Sequence, residues 1–263
     1  MTRLPPALKP LWPYAKRAYT VGTRLVAPAT IRLSRLRGGY EPQRVVATID
    51  DAVAAGGELH IVAAGERIVR TAPCGTPAGL PTFAAQTTAL IRRQAVAALP
   101  QGRVLGPYRA VVTADGVLID ELVRYFGTSR PYEHPAFLHP FPGPPRHIDG
   151  SLAVLASRGD SNYFHFLVDV LPRIATLERC PGIGQPEYWY VPTRTRFQRE
   201  LLALAGIDAD RIVDSDEVPH VRADLLLVPT VPDLDLEIPS WVVAFLRERL
   251  LPSGQNRVPG RNV

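Results

Sequence analysis

The run Asn162-Tyr163-Phe164-His165-Phe166-Leu167-Val168-Asp169-Val170-Leu171-Pro172-Arg173 gathers the side chains best suited to chemistry. At about 100° per residue, Asn162, His165, Asp169 and Arg173 share one narrow stripe of a helix, while Phe164, Leu167, Val168, Val170, Leu171 and Ile174 occupy most of the rest. A helix that is apolar nearly all round is buried, so its polar stripe must pair internally or line a cleft. Imidazole titrates near neutrality, and a carboxylate behind it fixes its tautomer and raises its basicity. His165 backed by Asp169 is therefore a candidate general base, with Asn162 and Arg173 as candidate substrate-positioning groups. In the plainer alternative, Asp169 pairs with Arg173, His165 hydrogen-bonds Asp169, and Asn162 satisfies loop backbone; the two readings are compatible. Asp160 or Ser161 is the expected helix cap, and Arg158, just before the helix N-terminus, is a candidate anion contact.

The elements around this run position it. The apolar stretch Leu152 to Ala156 precedes it, and Glu187 to Val191, Arg211 to Val213 and Asp224 to Pro229 read as further strands. Thr195 to Ala205 and Ser240 to Leu251 read as helices. Strands alternating with helices imply βαβ units and a parallel sheet, here one Rossmann-like half over residues 148–252. Open α/β sheets place ligands beyond the strand ends, where this helix begins. Upstream, residues 41–130 read as a strand-rich α+β subdomain with Asp115-Gly116 as a hairpin turn and Arg92 to Leu99 as a short helix. Six prolines within residues 131–145 make 131–147 a stiff strap that excludes helix and central strand. Residues 253–263 form a polar tail.

With 263 residues, 46% hydrophobic and 21% charged, the chain can bury a substantial core. No apolar run is long enough to cross a bilayer, and the N-terminus lacks a signal-peptide pattern, so a cytoplasmic location is expected. Cys74 and Cys180 suggest neither a disulfide framework nor a zinc site. Residues 1–40 hold eight Lys and Arg and no acid, leaving 22 basic against 25 acidic residues elsewhere. The body is slightly acidic, which argues against a nucleic-acid groove. This basic leader is broken by prolines, so at most two short amphipathic turns are expected in it; its cations and aromatics could hold it peripherally on an anionic membrane surface, the inner face of the cell membrane.

The string Asn162 to Arg173, with its preceding strand, Tyr188 to Pro192, Phe197-Gln198-Arg199-Glu200-Leu201-Leu202 and Gly206-Ile207, resembles the N-terminal half of glycosyltransferase family 61. Val104-Leu105-Gly106, Ala114 to Leu118 and Glu121 are similar to its upstream region. The resemblance implies a GT-B enzyme of two facing Rossmann-like domains that moves a sugar from a nucleotide-sugar donor to a hydroxyl acceptor, in surface or capsular polysaccharide synthesis. The motif's asparagine, histidine, aspartate and arginine correspond to Asn162, His165, Asp169 and Arg173. The family's second half carries a His-Gly-Ala-Gly-Leu-like loop and an acidic helix that hold the donor, and neither string occurs here. The expectation is a truncated transferase that would need a complementing donor-binding half, the alternative being a non-catalytic remnant or binding module. No metal or other cofactor is expected.

Three Asp-x-Asp pairs, Asp208/Asp210, Asp214/Asp216 and Asp233/Asp235, lie in an acidic stretch and read as a solvated loop face rather than a cation site. His134, His139 and His147 sit in the strap without a Cys or close acidic partner, and metal binding is not expected of them. Tyr188, Trp189 and Tyr190 read as strand residues packing on two faces, and Arg130 as a residue flanking the cleft.

Overall fold

The structure, a computed structural model, describes residues 10–37, 39–53, 56–69, 87–123, 130–138, 142–232 and 237–251. Cys74, His139 and the Asp233/Asp235 pair lie outside them. The architecture is mixed α/β. Strands β9 (Arg146–Val154), β10 (Tyr188–Val191), β11 (Ile212–Asp214) and β12 (His220–Pro229) are mutually parallel and stand side by side in the order β12-β9-β10-β11. The chain thus moves outward from β9 to β11 and then returns to the other side of β9.

The segments on either side of the strap do not form separate sheets. β12 also pairs antiparallel with β5 (Gln94–Pro100) and β6 (Arg103–Leu105). From β6 the sheet continues through β7 (Ala110–Val112) and β8 (Val117–Ile119) to β1 (Arg44–Val46), and from β5 to β2 (Glu58–Ala63). A separate ribbon joins β3 (Glu66–Val69) to β4 (Thr88–Ile91). The strand-rich and α/β regions expected as successive units therefore share one ten-stranded sheet. The helix expected over Arg92 to Leu99 is β5 instead: its Ala and Val residues are buried on both faces, an environment in which close inter-strand packing overrides alanine's helix propensity. A turn forms at Asp115-Gly116, but of these two only Gly116 has positive φ (+84°), and it closes on Thr113 through Gly116 N donating to Thr113 O at 3.1 Å, so it is not the tight turn with positive φ at both residues.

Alternation along the strands divides two hydrophobic cores. Leu152, Val154, Tyr190 and Leu226 face one with Phe137, Ala27 and Ile31, while Ala153, Leu155, Trp189, Val191 and Leu227 face the other with Phe166, Ile174 and Leu202. Helices α4 (Pro172–Glu178), α5 (Arg196–Leu204) and α6 (Ser240–Leu250) cover the second face, and short α2 (Ile49–Val53) and long α1 (Trp12–Arg37) belong with the first.

Helix α1 corrects the expectation of two short turns in the basic leader. Pro10 precedes it and Pro13 lies in the first turn, where backbone N–H groups have no intrahelical acceptor. Only Pro28 is interior, a penalty of about 3 kcal/mol in isolation. Tertiary contacts offset it: Ala27 and Ile31 are buried, Thr30 Oγ1 donates to Phe137 O at 2.7 Å, and Arg17 donates to the buried Glu133 carboxylate at 2.8 Å. The strap, expected to exclude helix and central strand, instead supplies one 3₁₀ turn at Pro135–Leu138 as the platform, and its last two residues, Arg146 and His147, already belong to β9.

Candidate functional site

The run singled out by its side chains begins where β9 ends, at the point where strand order reverses between β10 and β12. After Val154 the chain makes a turn through Ser157 to Asp160 and enters α3 (Tyr163–His165). Asn162 is the cap: its Oδ1 accepts from Phe164 N at 2.9 Å and from His165 N at 3.4 Å, so neither Asp160 nor Ser161 has that role. One oxygen of the candidate positioning group is thereby engaged with backbone.

His165 Nδ1 lies 2.8 Å from Asp169 Oδ2. A carboxylate accepts, so Nδ1 carries the hydrogen and Nε2 retains its lone pair. The Asp169 side chain is 12% exposed and the His165 side chain 27%. The dyad has a buried orienting carboxylate and a reachable imidazole. Tyr163 and Phe164 stand exposed beside it, and the Phe164 ring meets the imidazole edge-on at 5.5 Å between centroids. Gly159 allows the turn to close against this ring: a Cβ there would lie 3.0 Å from His165 Cβ and Cγ.

Arg173 does not share the stripe. Residues Phe166–Val170 form a π turn, closed by Leu171 N donating to Phe166 O at 3.1 Å, immediately before Pro172. Proline has no N–H and its ring clashes with the carbonyl four residues back, so the helix widens there. The extra residue rotates the next helical turn by roughly 100° relative to a uniform helix. Arg173 is consequently 1% exposed, and its guanidinium donates to Val154 O at 3.2 Å, Ala156 O at 3.1 Å and, weakly, Leu155 O at 3.5 Å. It anchors the end of β9 rather than contacting a substrate. Burial brings its pKa down to about 10 against the charges of Asp169 and Asp160, so it remains a cation at neutral pH.

A second buried network holds the turn. Arg109, at φ +55° and 5% exposed, pairs with Asp160 at 3.2 Å and Asp216 at 2.6 Å and donates to Ser215 O at 2.5 Å. Gln198 Nε2 donates to Asp160 O at 3.0 Å. Burial raises the Asp160 pKa, with Arg109 opposing. Sequence reading missed this network because its members are 51 to 107 residues apart and carry no local pattern.

Arg158 is half-buried beside the site. Its charge depresses the pKa of Lys16 on α1 after burial itself, and likewise that of His134, which burial lowers to about 4. Lys16 on α1 is thus an electrostatic neighbour of Arg158, a relation that nothing local in the sequence signals. Arg130 is exposed, with its N–H donating to Glu133 at 3.3 Å.

The two described Asp-x-Asp pairs serve structural roles or face solvent. Asp214 accepts from Thr193 N at 3.2 Å and from its hydroxyl, Asp216 pairs with Arg109, and Asp208 and Asp210 are exposed. Contrary to expectation, His147 has acidic neighbours: its Nε2 is 3.2 Å from both Asp149 and Asp224. These three atoms could converge on a cation, but Asp149 is 96% exposed and Asp224 already accepts from Gly150 N at 2.9 Å and Gln101 Nε2 at 3.0 Å. The cluster reads as an electrostatic clasp between β9 and β12. Trp189 and Tyr190 pack on opposite faces as expected, with the Tyr190 hydroxyl donating to Val218 O at 2.7 Å.

No family model matches the chain, and no similar curated protein or solved structure is found.

Proposed function

We propose that the chain provides the acceptor-side half of a glycosyltransferase similar to family 61, with β9 to β12 as a Rossmann-like unit of a GT-B arrangement. The observation that carries this reading is the His165–Asp169 dyad, 2.8 Å apart, at the carboxyl end of β9 where strand order reverses. In this reading His165 Nε2 accepts the proton of an acceptor hydroxyl as its oxygen attacks the anomeric carbon of a nucleotide sugar, and the nucleoside diphosphate leaves. Asp169 positions the imidazole and stabilises it once protonated. Tyr163 and Phe164 offer aromatic faces to a sugar ring, and Arg158, at the turn before the helix, favours the negative charge that develops on the leaving group. A glycine-rich donor-binding half, in the same or another polypeptide, would face this one across the cleft.

The test is sugar transfer, across a panel of nucleotide sugars and hydroxyl acceptors, by the chain supplied together with a complementing donor-binding half. Transfer is expected, and His165→Ala should lower kcat by about 10²–10⁴-fold with the thermal midpoint unchanged. Full activity in His165→Ala, or no transfer with any donor, overturns the reading.

A further inference from the structure

Helix α1 is amphipathic in the wrong sense for a helix that only packs on its own protein. Its buried side presents Thr20, Thr23, Ala27, Thr30, Ile31 and Ser34, mostly small polar residues. Thr20 and Thr23 donate to carbonyls of the helix itself, while two bonds to the rest of the protein hold this orientation: Thr30 Oγ1 to Phe137 O at 2.7 Å, and Arg17 to the Glu133 carboxylate at 2.8 Å across 116 residues. The large apolar side chains point away: Leu11, Tyr14, Leu25, Val26, Leu33 and Leu36 are all exposed, Leu25 by 70% and Leu36 by 77%. On a helical projection these outward apolar residues fill an arc of roughly 120°, opposite a buried arc of roughly 100°.

Between these arcs on one flank lie Arg24, Arg17, which pairs with Glu133, and Arg35, which donates to Gln43 Oε1 at 2.5 Å, with Arg32 at the edge of the apolar arc beside Tyr14; the helix carries no acid. A continuous exposed apolar face of this kind marks an interaction surface. Its flanking arginines select the occupant: two copies meeting through this face would bring their cations together, whereas an anionic bilayer would take the apolar chains below its headgroups and the guanidiniums among them. No helix among the described residues is long and apolar enough to cross a membrane, which leaves the plane of the interface.

We infer that α1 is an in-plane membrane anchor, inserting Leu11, Tyr14, Leu25, Val26, Leu33 and Leu36 into an anionic leaflet while Arg24, Arg32 and Arg35 engage lipid phosphates and carboxylates. This attachment is independent of what the site at His165 catalyses.

The experiment is flotation of the full chain with vesicles of mixed phosphatidylcholine and phosphatidylserine, and with phosphatidylcholine alone. The chain should float with the anionic vesicles and less with the neutral ones. Leu25→Glu/Leu33→Glu should reduce the bound fraction by about tenfold or more, and Arg24→Gln/Arg32→Gln should reduce it and weaken its salt dependence. Leu25, Leu33 and Arg32 are exposed and Arg24 is half-buried, so melts followed by circular dichroism are expected to change little and check the fold. Wild-type protein that stays unbound, or equal flotation of Leu25→Glu/Leu33→Glu, overturns the inference. So does a wild-type dimer in sedimentation that this double variant dissociates without any vesicle binding, which would assign the face to a second copy.

Discussion

Replacing Arg173 tests how the site is held. Arg173→Met keeps an aliphatic stem but removes the donor from Val154 O and Ala156 O, at 3.2 and 3.1 Å; the Leu155 contact at 3.5 Å adds little. A hydrogen bond from a charged group is worth about 1.5–3 kcal/mol, and the abandoned carbonyls lie in an interior closed to water. Asp169 and Asp160 also lose a stabilising cation. The expected loss is about 3–5 kcal/mol, the range for removing one member of a buried charged network. Against a total stability of about 5–15 kcal/mol this is large. Urea unfolding followed by circular dichroism should show a lower midpoint with an unchanged slope. Arg173→Lys, which can reach one carbonyl, should lose about half as much. A loss below about 1 kcal/mol in Arg173→Met would refute the assignment, and so would weaker acceptor binding at undiminished stability, because the guanidinium would then face substrate.

The same geometry sets other outcomes. Thr30→Val leaves Phe137 O without its 2.7 Å donor and should cost about 1–3 kcal/mol, read as a fall in thermal midpoint. Gly159→Ala, whose new Cβ would crowd His165 at 3.0 Å, should shift the ring from Asp169 and reduce kcat more than it changes KM in the transfer assay. The pKa of buried His134, lowered to about 4, makes the unfolded chain bind the extra proton. Its contribution is present above about pH 6.5 and is lost as pH falls towards 4, so His134→Gln should flatten the decline of the urea midpoint over that window. Glu41 acts oppositely: its buried carboxyl is raised to about 7, so its stabilising effect is present at low pH and lost as pH rises from about 4.5 to 7. Glu41→Gln should therefore steepen the gain in stability with rising pH over that range.

The sequence by itself determined what depends on short spacing. The i, i+4 interval of His165 and Asp169 brings imidazole to carboxylate on any helical turn, and the alternation of Leu152 to Leu155 assigns those residues to opposite cores. The order of strands and helices after residue 148 was legible for the same reason. Pro172 was the local signal for the departure of Arg173 from the stripe, since a uniform helical period cannot pass a proline without widening or breaking. Nothing local could foretell the network of Arg109 with Asp160 and Asp216, or β5 as a strand, because each depends on partners brought together from distant parts of the chain. Helix α1 shows the division most plainly. Its composition announced cations and apolar residues, but only the tertiary structure decided which face is buried: the bonds of Thr30 and Arg17 to the strap turn the small polar residues inward and leave the leucines outside.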